Sequence, residues 1–320
     1  MKRRSILSFA GGAAFGSALP AIAQTQRVMR MGLLTSFPTT RDEEFRAALR
    51  QRGWEEGRNL ITESRYTKGD PLLHPANAKE LVDLGVDMIF ASGETAALAA
   101  FNATRSIPIV MMMNSPVELG LAKSLARPGG NVTGVVFQAA EYPGKQFEIL
   151  RSIRPGLKRI GLVYADNISG RVVFAGWQAA AEKAGVSLFK LPVPFRIAEI
   201  ESMLAVAQGE RVEAVDIGLN FALRGEGWQQ ITAWAIAQKV LTSAAEYARG
   251  EAAVAFGANG SSFIRQLAFQ VDRVLRGANP AELPIQQPTV FDLVINRRIV
   301  RAIGLTVPQS VLEQATEVID

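Results

Sequence analysis

Along this chain, short apolar or β-branched runs alternate with longer stretches whose apolar residues recur every three or four positions. Residues 29–35, 60–66, 86–91 and 107–113 have the first character and read as strands. The continuous runs among them suit strands buried on both faces, as in a parallel sheet covered by helices. The stretches between have helical spacing. Phe45, Ala48 and Leu49 share one face of a helix that Asp42 is placed to cap, with Arg50 and Arg52 in its last turn and Gly53 as its stop. Residues 75–84 and 95–104 read as the next two helices.

The alternation then restarts. Strands are expected over 159–164, 187–191, 214–219, 240–244 and 252–256, and helices over 172–184, 197–207 and 228–238. Between the two series lies Leu121 to Gly134, read as a short amphipathic helix, a Pro-Gly-Gly-Asn reversal and the start of a β-branched strand. Proline cannot continue a helix, and glycine takes positive φ cheaply. Near the end, 261–276 reads as a helix with Phe263, Leu267, Val271 and Val274 inward. A proline-rich extended connection over 279–288 follows, suited to running back between lobes and leading to an apolar run at 290–295.

Parallel strands need helical crossovers, so two successive βαβ series predict an α/β chain of two doubly wound, Rossmann-like lobes. The expected division is 24–135 for the first lobe, completed by part of 261–320, and 136–260 for the second. The remainder, 261–320, supplies a helix, an interlobe crossing segment and terminal helices.

Composition fits two cores: 320 residues, 48% of them hydrophobic. The first 23 residues stand apart. Lys2, Arg3 and Arg4 precede an apolar stretch, and Ala21-Ile22-Ala23 has the small-x-small form of a signal-peptidase site, with Gln24 as the new N-terminus. Arg3-Arg4 fits a twin-arginine signal as well as a Sec signal. The stretch is shorter than the ~20 residues of a membrane span and holds Pro20. Those three basic residues account for three of the five excess positive charges, and no acid precedes Gln24, so the exported chain carries only +2. No basic block remains to suggest nucleic acid. With no cysteine there is neither a disulfide framework nor a thiolate metal site. A periplasmic protein, monomeric and without cofactor, is the expectation.

Catalytic chemistry is sparse. His74 is the one histidine, expected at a helix start as a surface or capping residue. There is no Gly-x-Ser-x-Gly elbow and no phosphate-cradling glycine motif, and Gly260 to Ser262 reads as a helix start. No catalytic or metal-binding residue is assigned. Binding chemistry is better supplied. In open α/β sheets ligands sit beyond the carboxyl ends of the strands, where helix N-termini present free N–H groups. The residues there are Thr35 and Ser36; Ser92, Gly93, Glu94 and Thr95; Asn114 and Ser115. In the second series they are Asp166 and Asn167, then Asn220, with Tyr247 and Phe256 near the end. Small hydroxyl and amide groups with a few rings suit a small polar or zwitterionic solute. Each of these residues also has an ordinary role as a cap or in a core.

Several segments carry a resemblance. Gln51-Arg52-Gly53-Trp54-Glu55-Glu56-Gly57-Arg58-Asn59-Leu60, Leu121 to Gly134, Lys145 to Leu150, Asn279 to Asn296, Ala302 to Pro308 and Glu317 to Ile319 resemble the ABC-transporter substrate-binding proteins of the tryptophan- and tyrosine-binding kind. The resemblance spans essentially the whole exported chain. It implies a type I periplasmic-binding-protein fold whose hinged lobes close on a small solute, an amino acid or related carboxylate, and deliver it to an inner-membrane ABC permease. It implies no catalysis. Two departures stand out: Ser115-Pro116-Val117 where relatives read Asp-Pro-Val, and Asp166-Asn167 where they read Asn-Pro. An exported α/β hydrolase and a sensing module for a membrane kinase remain the alternatives at this stage.

Overall fold

Five strands form the first sheet, and all run parallel: β1 (Met29–Thr35), β2 (Leu60–Tyr66), β3 (Met88–Ser92), β4 (Ile109–Met113) and β5 (Val132–Val136), in the order β2-β1-β3-β4-β5. The computed structural model describes residues 27–38, 41–137, 142–166, 168–194, 196–218 and 225–320, so the expected signal segment lies outside it. Helices α1 (Asp42–Arg50), α2 (His74–Asp83) and α3 (Glu94–Ala103) are the crossovers. Side chains of alternate strand residues divide between two cores. Met31, Leu33, Phe90 and Val110 pack with α1 on one face, while Leu34, Ile89, Ala91, Ile109 and Met111 pack with α2 and α3 on the other.

The first core is completed from far down the chain. Phe263, Leu267, Val271 and Val274 of α8 (Gly260–Leu275) share it with α1 and β1, as the helical spacing predicted. Trp54 donates from Nε1 to the buried side chain of Asp272 at 2.8 Å, tying the end of the α1 turn to α8. The connection after α8 then lies along the free edge of β5. Gln286 N donates to Gly134 O, Val136 N donates to Gln286 O, and Thr133 Oγ1 donates to Leu283 O. An exposed sheet edge invites foreign pairing, and this strap covers it. Gly134 (φ +145°) is required here, because a Cβ at that position would overlap the Met111 carbonyl.

The second sheet has seven strands in the order β12-β11-β10-β9-β8-β6-β7. These are β6 (Arg159–Tyr164), β7 (Ser187–Pro192), β8 (Ala214–Asp216), β9 (Leu241–Ala244), β10 (Val254–Ala258), β11 (Phe291–Asn296) and β12 (Glu317–Ile319). Only the β10–β11 pair is antiparallel among the described strands. Helices α4 (Tyr142–Ile153), α5 (Ile168–Lys183), α6 (Ile200–Gly209) and α7 (Glu226–Gln238) serve this sheet, with the short α9 (Arg297–Ala302) and α10 (Gln309–Leu312) behind its last strands. The two lobes are therefore doubly wound α/β units, as the alternating pattern predicted.

Three expectations need correction. Leu121 to Arg127 is not a helix: Leu121 N and Ala122 N donate to Pro116 O, Ser124 Oγ accepts from Arg127 N, and Lys123 N donates to Pro128 O. Those bonds close turns and take the donors that a helix would need. Asp42 is not the cap of α1, since Arg41 occupies that position and Asp42 opens the acidic first turn Asp42-Glu43-Glu44. His74 is neither exposed nor a cap, being 1% accessible and walled in at the start of α2.

Candidate binding site at the carboxyl edges

In each lobe the strand order reverses once, and the chain leaves that point in two directions, opening a crevice at the carboxyl ends. In the first lobe the reversal falls between β1 and β3, which brings Thr35 and Ser36 beside Ser92, Gly93 and Glu94. In the second it falls between β6 and β8, beside Asp166 and Asp216.

The first rim is built from small polar groups. Gly93 holds φ +95° and donates its N–H to Met112 O at 2.8 Å, which turns the chain straight from β3 into α3. No side chain caps α3 at Gly93. Glu94 Oε1 accepts from Asn114 N at 3.1 Å and ties the β3 rim to the β4 rim. Asn114 Oδ1 and Ser115 Oγ, beyond β4, are buried and accept or donate no hydrogen bond, as are Thr67 Oγ1 beyond β2 and both ring nitrogens of His74. Buried polar atoms without partners cost stability and are rare in folded proteins. Thr35 is buried with its hydroxyl on Phe37 O, while Thr95 is exposed on the outer turn. Burial alone lowers the His74 pKa, which keeps the ring neutral.

At the second rim Asp216 ends β8, fully buried, and its carboxylate accepts from Gln146 Nε2, from Ser243 Oγ at 2.6 Å and from Gly218 N at 3.0 Å. No cation pairs with it among the interactions of the described residues, and burial pushes its pKa up to about 7 against the pull of Ser243 and Gly218. Tyr142 lies above, its hydroxyl donating to Phe256 O, and its pKa is raised by burial first and then by Asp216 and Tyr247. Asp166 is exposed, paired with Arg171 at 3.1 Å and accepting from Tyr164 Oη at 3.1 Å. Asn167 and Asn220 lie outside the described residues. Phe256, expected as a pocket ring, is instead core: it stacks between Tyr142 and Phe291, with centroids 5.3 and 5.7 Å away. Apolar neighbours on both faces of β10 draw it inward.

Where the lobes meet, a polar pocket of about 430 Å³ is lined by Arg41 from the first lobe, by Glu246, Tyr247, Arg249 and Asp292 from the second, and by Asn259 to Ser261 at the start of α8. This brings carboxyl-end loops of both sheets to one cleft, and the volume lies within the range of small-molecule sites. Of the expected residues only Tyr247 lines it. Sequence reading missed Asp216, Gln146 and the charged group around Glu246. Asp216 alone left a visible signal, as the one acid within the apolar run 214–219. Among the described residues no group of three or more acidic or histidine side chains could hold a metal, and no helix is long and apolar enough to cross a membrane.

The model of the family described as ABC transporter substrate binding protein matches residues 39–319. A "Tyrosine-binding protein" of Clostridioides difficile (strain R20291) is 36% identical over 123 residues, 38% of this chain and 34% of that protein, so the match spans about a third of the relative. Two solved structures share the fold. A conserved domain protein from Vibrio cholerae superposes with a TM-score of 0.82 at 24% identity, covering 91% of this chain and 100% of that one. An ABC domain in complex with L-Trp from Streptococcus pneumonia superposes with 0.80 at 24% identity, covering 91% and 99%. With the family model matched from before α1 to the last strand, this chain belongs to the ABC transporter substrate-binding protein family.

Proposed function

We propose that the protein is the exported solute receptor of an ABC importer, holding a small organic solute between its lobes and handing it to a membrane permease. Solute class follows from the rim chemistry. The start of α3 after Gly93, with Ser92, suits a carboxylate, Glu94 a neighbouring donor, and Asn114 and Ser115 add an unmatched acceptor and hydroxyl. An amino acid or a related carboxylate is the class this set fits, and two relatives are named or solved for tyrosine and L-Trp. Ser115 leaves the first rim without the acid that the resemblance led us to expect, so an ammonium group would rely on Glu94. The remaining expected contacts, Thr35, Ser36, Gly93, Thr95, Asp166, Asn167, Asn220 and Tyr247, belong to this proposal. Export by the segment ending near Ala23, a periplasmic location and a monomeric receptor complete it.

The observation that supports the proposal is the strand-order reversal in each sheet, with buried unmatched polar atoms beyond the strands of the first and a polar pocket lined from both lobes. A hydrolase built on a nucleophile–histidine pair is disfavoured, because His74 is buried with neither ring nitrogen hydrogen-bonded. Thermal-shift screening of the exported chain against L-amino acids, aromatic carboxylates and sugars tests the proposal. A concentration-dependent rise in Tm with one amino acid or carboxylate is expected, and no rise with any class would refute it.

A further inference from the structure

We propose that Arg41 and Glu246 form an ionic clasp that sets the angle between the two lobes, which makes both positioning residues for solute capture. This inference rests on the receptor proposal for its purpose, not for its geometry. Arg41 precedes α1 and Glu246 follows β9, so each belongs to a different lobe, and Arg41 Nη2 lies 3.8 Å from Glu246 Oε2. Glu246 is the centre of an alternating row of charges. On its other side Arg249 reaches Glu246 at 3.3 Å and Asp292 at 3.1 Å, and also pairs with Glu317. Asp292 in turn accepts from Asn259 Nδ2 at 2.8 Å, and Asn259 caps α8 at the crossing between lobes. The row ties Glu246 to the second lobe, with its side chain only 13% exposed.

Arg41 is held just as deliberately on the first-lobe side. Glu44 pairs with it at 2.9 Å, and a hydrogen bond from Ser261 holds the Glu44 pKa down. The guanidinium packs against Gly260, where any Cβ would overlap it. Position 260 has an ordinary negative φ, so its backbone conformation does not demand glycine. The missing side chain leaves the seat that aims Arg41 across the gap. One partly exposed pair contributes little to global stability. A lobe-opening equilibrium is itself shallow, so a contribution of that size changes the ratio of open to closed forms several-fold.

The chain has no cysteine, so spin labels can be placed on introduced cysteines at Glu118 in the first lobe and Ala179 in the second without removing any native thiol. Electron–electron resonance then reads the interlobe distance with no solute added. Relative to the labelled parent, Glu246→Gln and Arg41→Gln should each shift the distribution to longer, broader distances, and the double variant should go no further than either. Arg41→Lys should fall between. Gly260→Ala should reproduce Arg41→Gln while leaving Tm nearly unchanged, because a flexible guanidinium can move away from the new methyl. Glu44→Gln, which leaves the interlobe pair intact, should have the smallest effect. Unchanged distributions in Glu246→Gln and Arg41→Gln, or strictly additive shifts, would overturn the clasp. The measurement needs no ligand, so failure of the receptor proposal would not imitate either outcome.

Discussion

The two lobes have the same strand-order reversal but finish it in different ways. At the first rim polar atoms are left unmatched: Asn114 Oδ1 and Ser115 Oγ are buried with no partner. At the second the buried carboxylate of Asp216 accepts from three donors, on Gln146, Ser243 and Gly218, and within that cluster Gln146 Oε1 is left buried without a partner. A rim with unmet hydrogen bonds gains from a polar guest, whereas a better satisfied one gains less. Under the proposed function both rims touch the solute, and the first has more unmatched polar atoms to offer it. Their cores differ too, since the first is completed by a helix and a strap delivered from the end of the chain.

The strongest way to break this contrast is through that helix. Leu267→Ala should cost about 2–5 kcal/mol of unfolding free energy, as a buried leucine truncated within a packed core does. In hydrogen exchange the loss of protection should concentrate in β1, β4 and α1 and spare β6 and β8. Uniform loss across both sheets would deny that α8 is part of the first lobe.

Next in size is the carboxylate of the second rim. Its folded pKa of about 7 stands above the ordinary 3.8. Between those values the folded state keeps a proton that the unfolded chain has released, so stability falls as pH rises through that window and levels off above about pH 8. The expected loss is on the order of 2–4 kcal/mol. Asp216→Asn should flatten this dependence and leave the variant more stable than the parent at pH 8. The Oε1 atom of Gln146, buried and unmatched, can accept from the new carboxamide. Urea unfolding at pH 5, 6, 7 and 8 tests it, and equal slopes for parent and variant would exclude the carboxylate as the source.

A smaller effect tests how α8 is fastened. Trp54→Phe removes the donor to Asp272 together with the buried pyrrole part of the indole, and it should cost about 1–3 kcal/mol by denaturant midpoint. The smallest stability change is expected at the first rim. Ser115→Ala removes a hydroxyl with no partner and should move stability by less than about 0.5 kcal/mol, or raise it slightly. The same variant should weaken binding of the solute found in the thermal-shift screen by about tenfold, measured by calorimetry. Stability loss without binding loss would make Ser115 a structural residue and close the contrast between the rims.

Much of this fold is legible in the sequence wherever one local signal governs. The strands at 29–35, 60–66 and 159–164 coincide with β1, β2 and β6 to the residue, because apolar or β-branched runs end there at turn-forming neighbours. Leu267 and Val271 announce the inner face of α8, though not the sheet it would join. The stretch from Leu121 misleads because helical spacing is present while Pro116 and Pro128 recruit its backbone donors. At the candidate site, Gly93 before a helix is a local signal for the turn from β3 into α3. The hydrogen bonding of Asp216 depends on Gln146 and Ser243, which lie 70 and 27 residues away in sequence. Neither Arg41 nor Glu246 is unusual in its own surroundings. Their meaning arises only when two lobes are brought together.

The central claim is that one solute is held by both rims at once. Hydrogen exchange of the chain from Gln24 onward, with and without the solute from the screen at saturation, tests it most directly. Amides over 92–96 and 113–115 in the first lobe and 164–166 and 216–218 in the second should gain protection together, with the same concentration dependence. Protection confined to one lobe, or appearing away from both carboxyl edges, would contradict it.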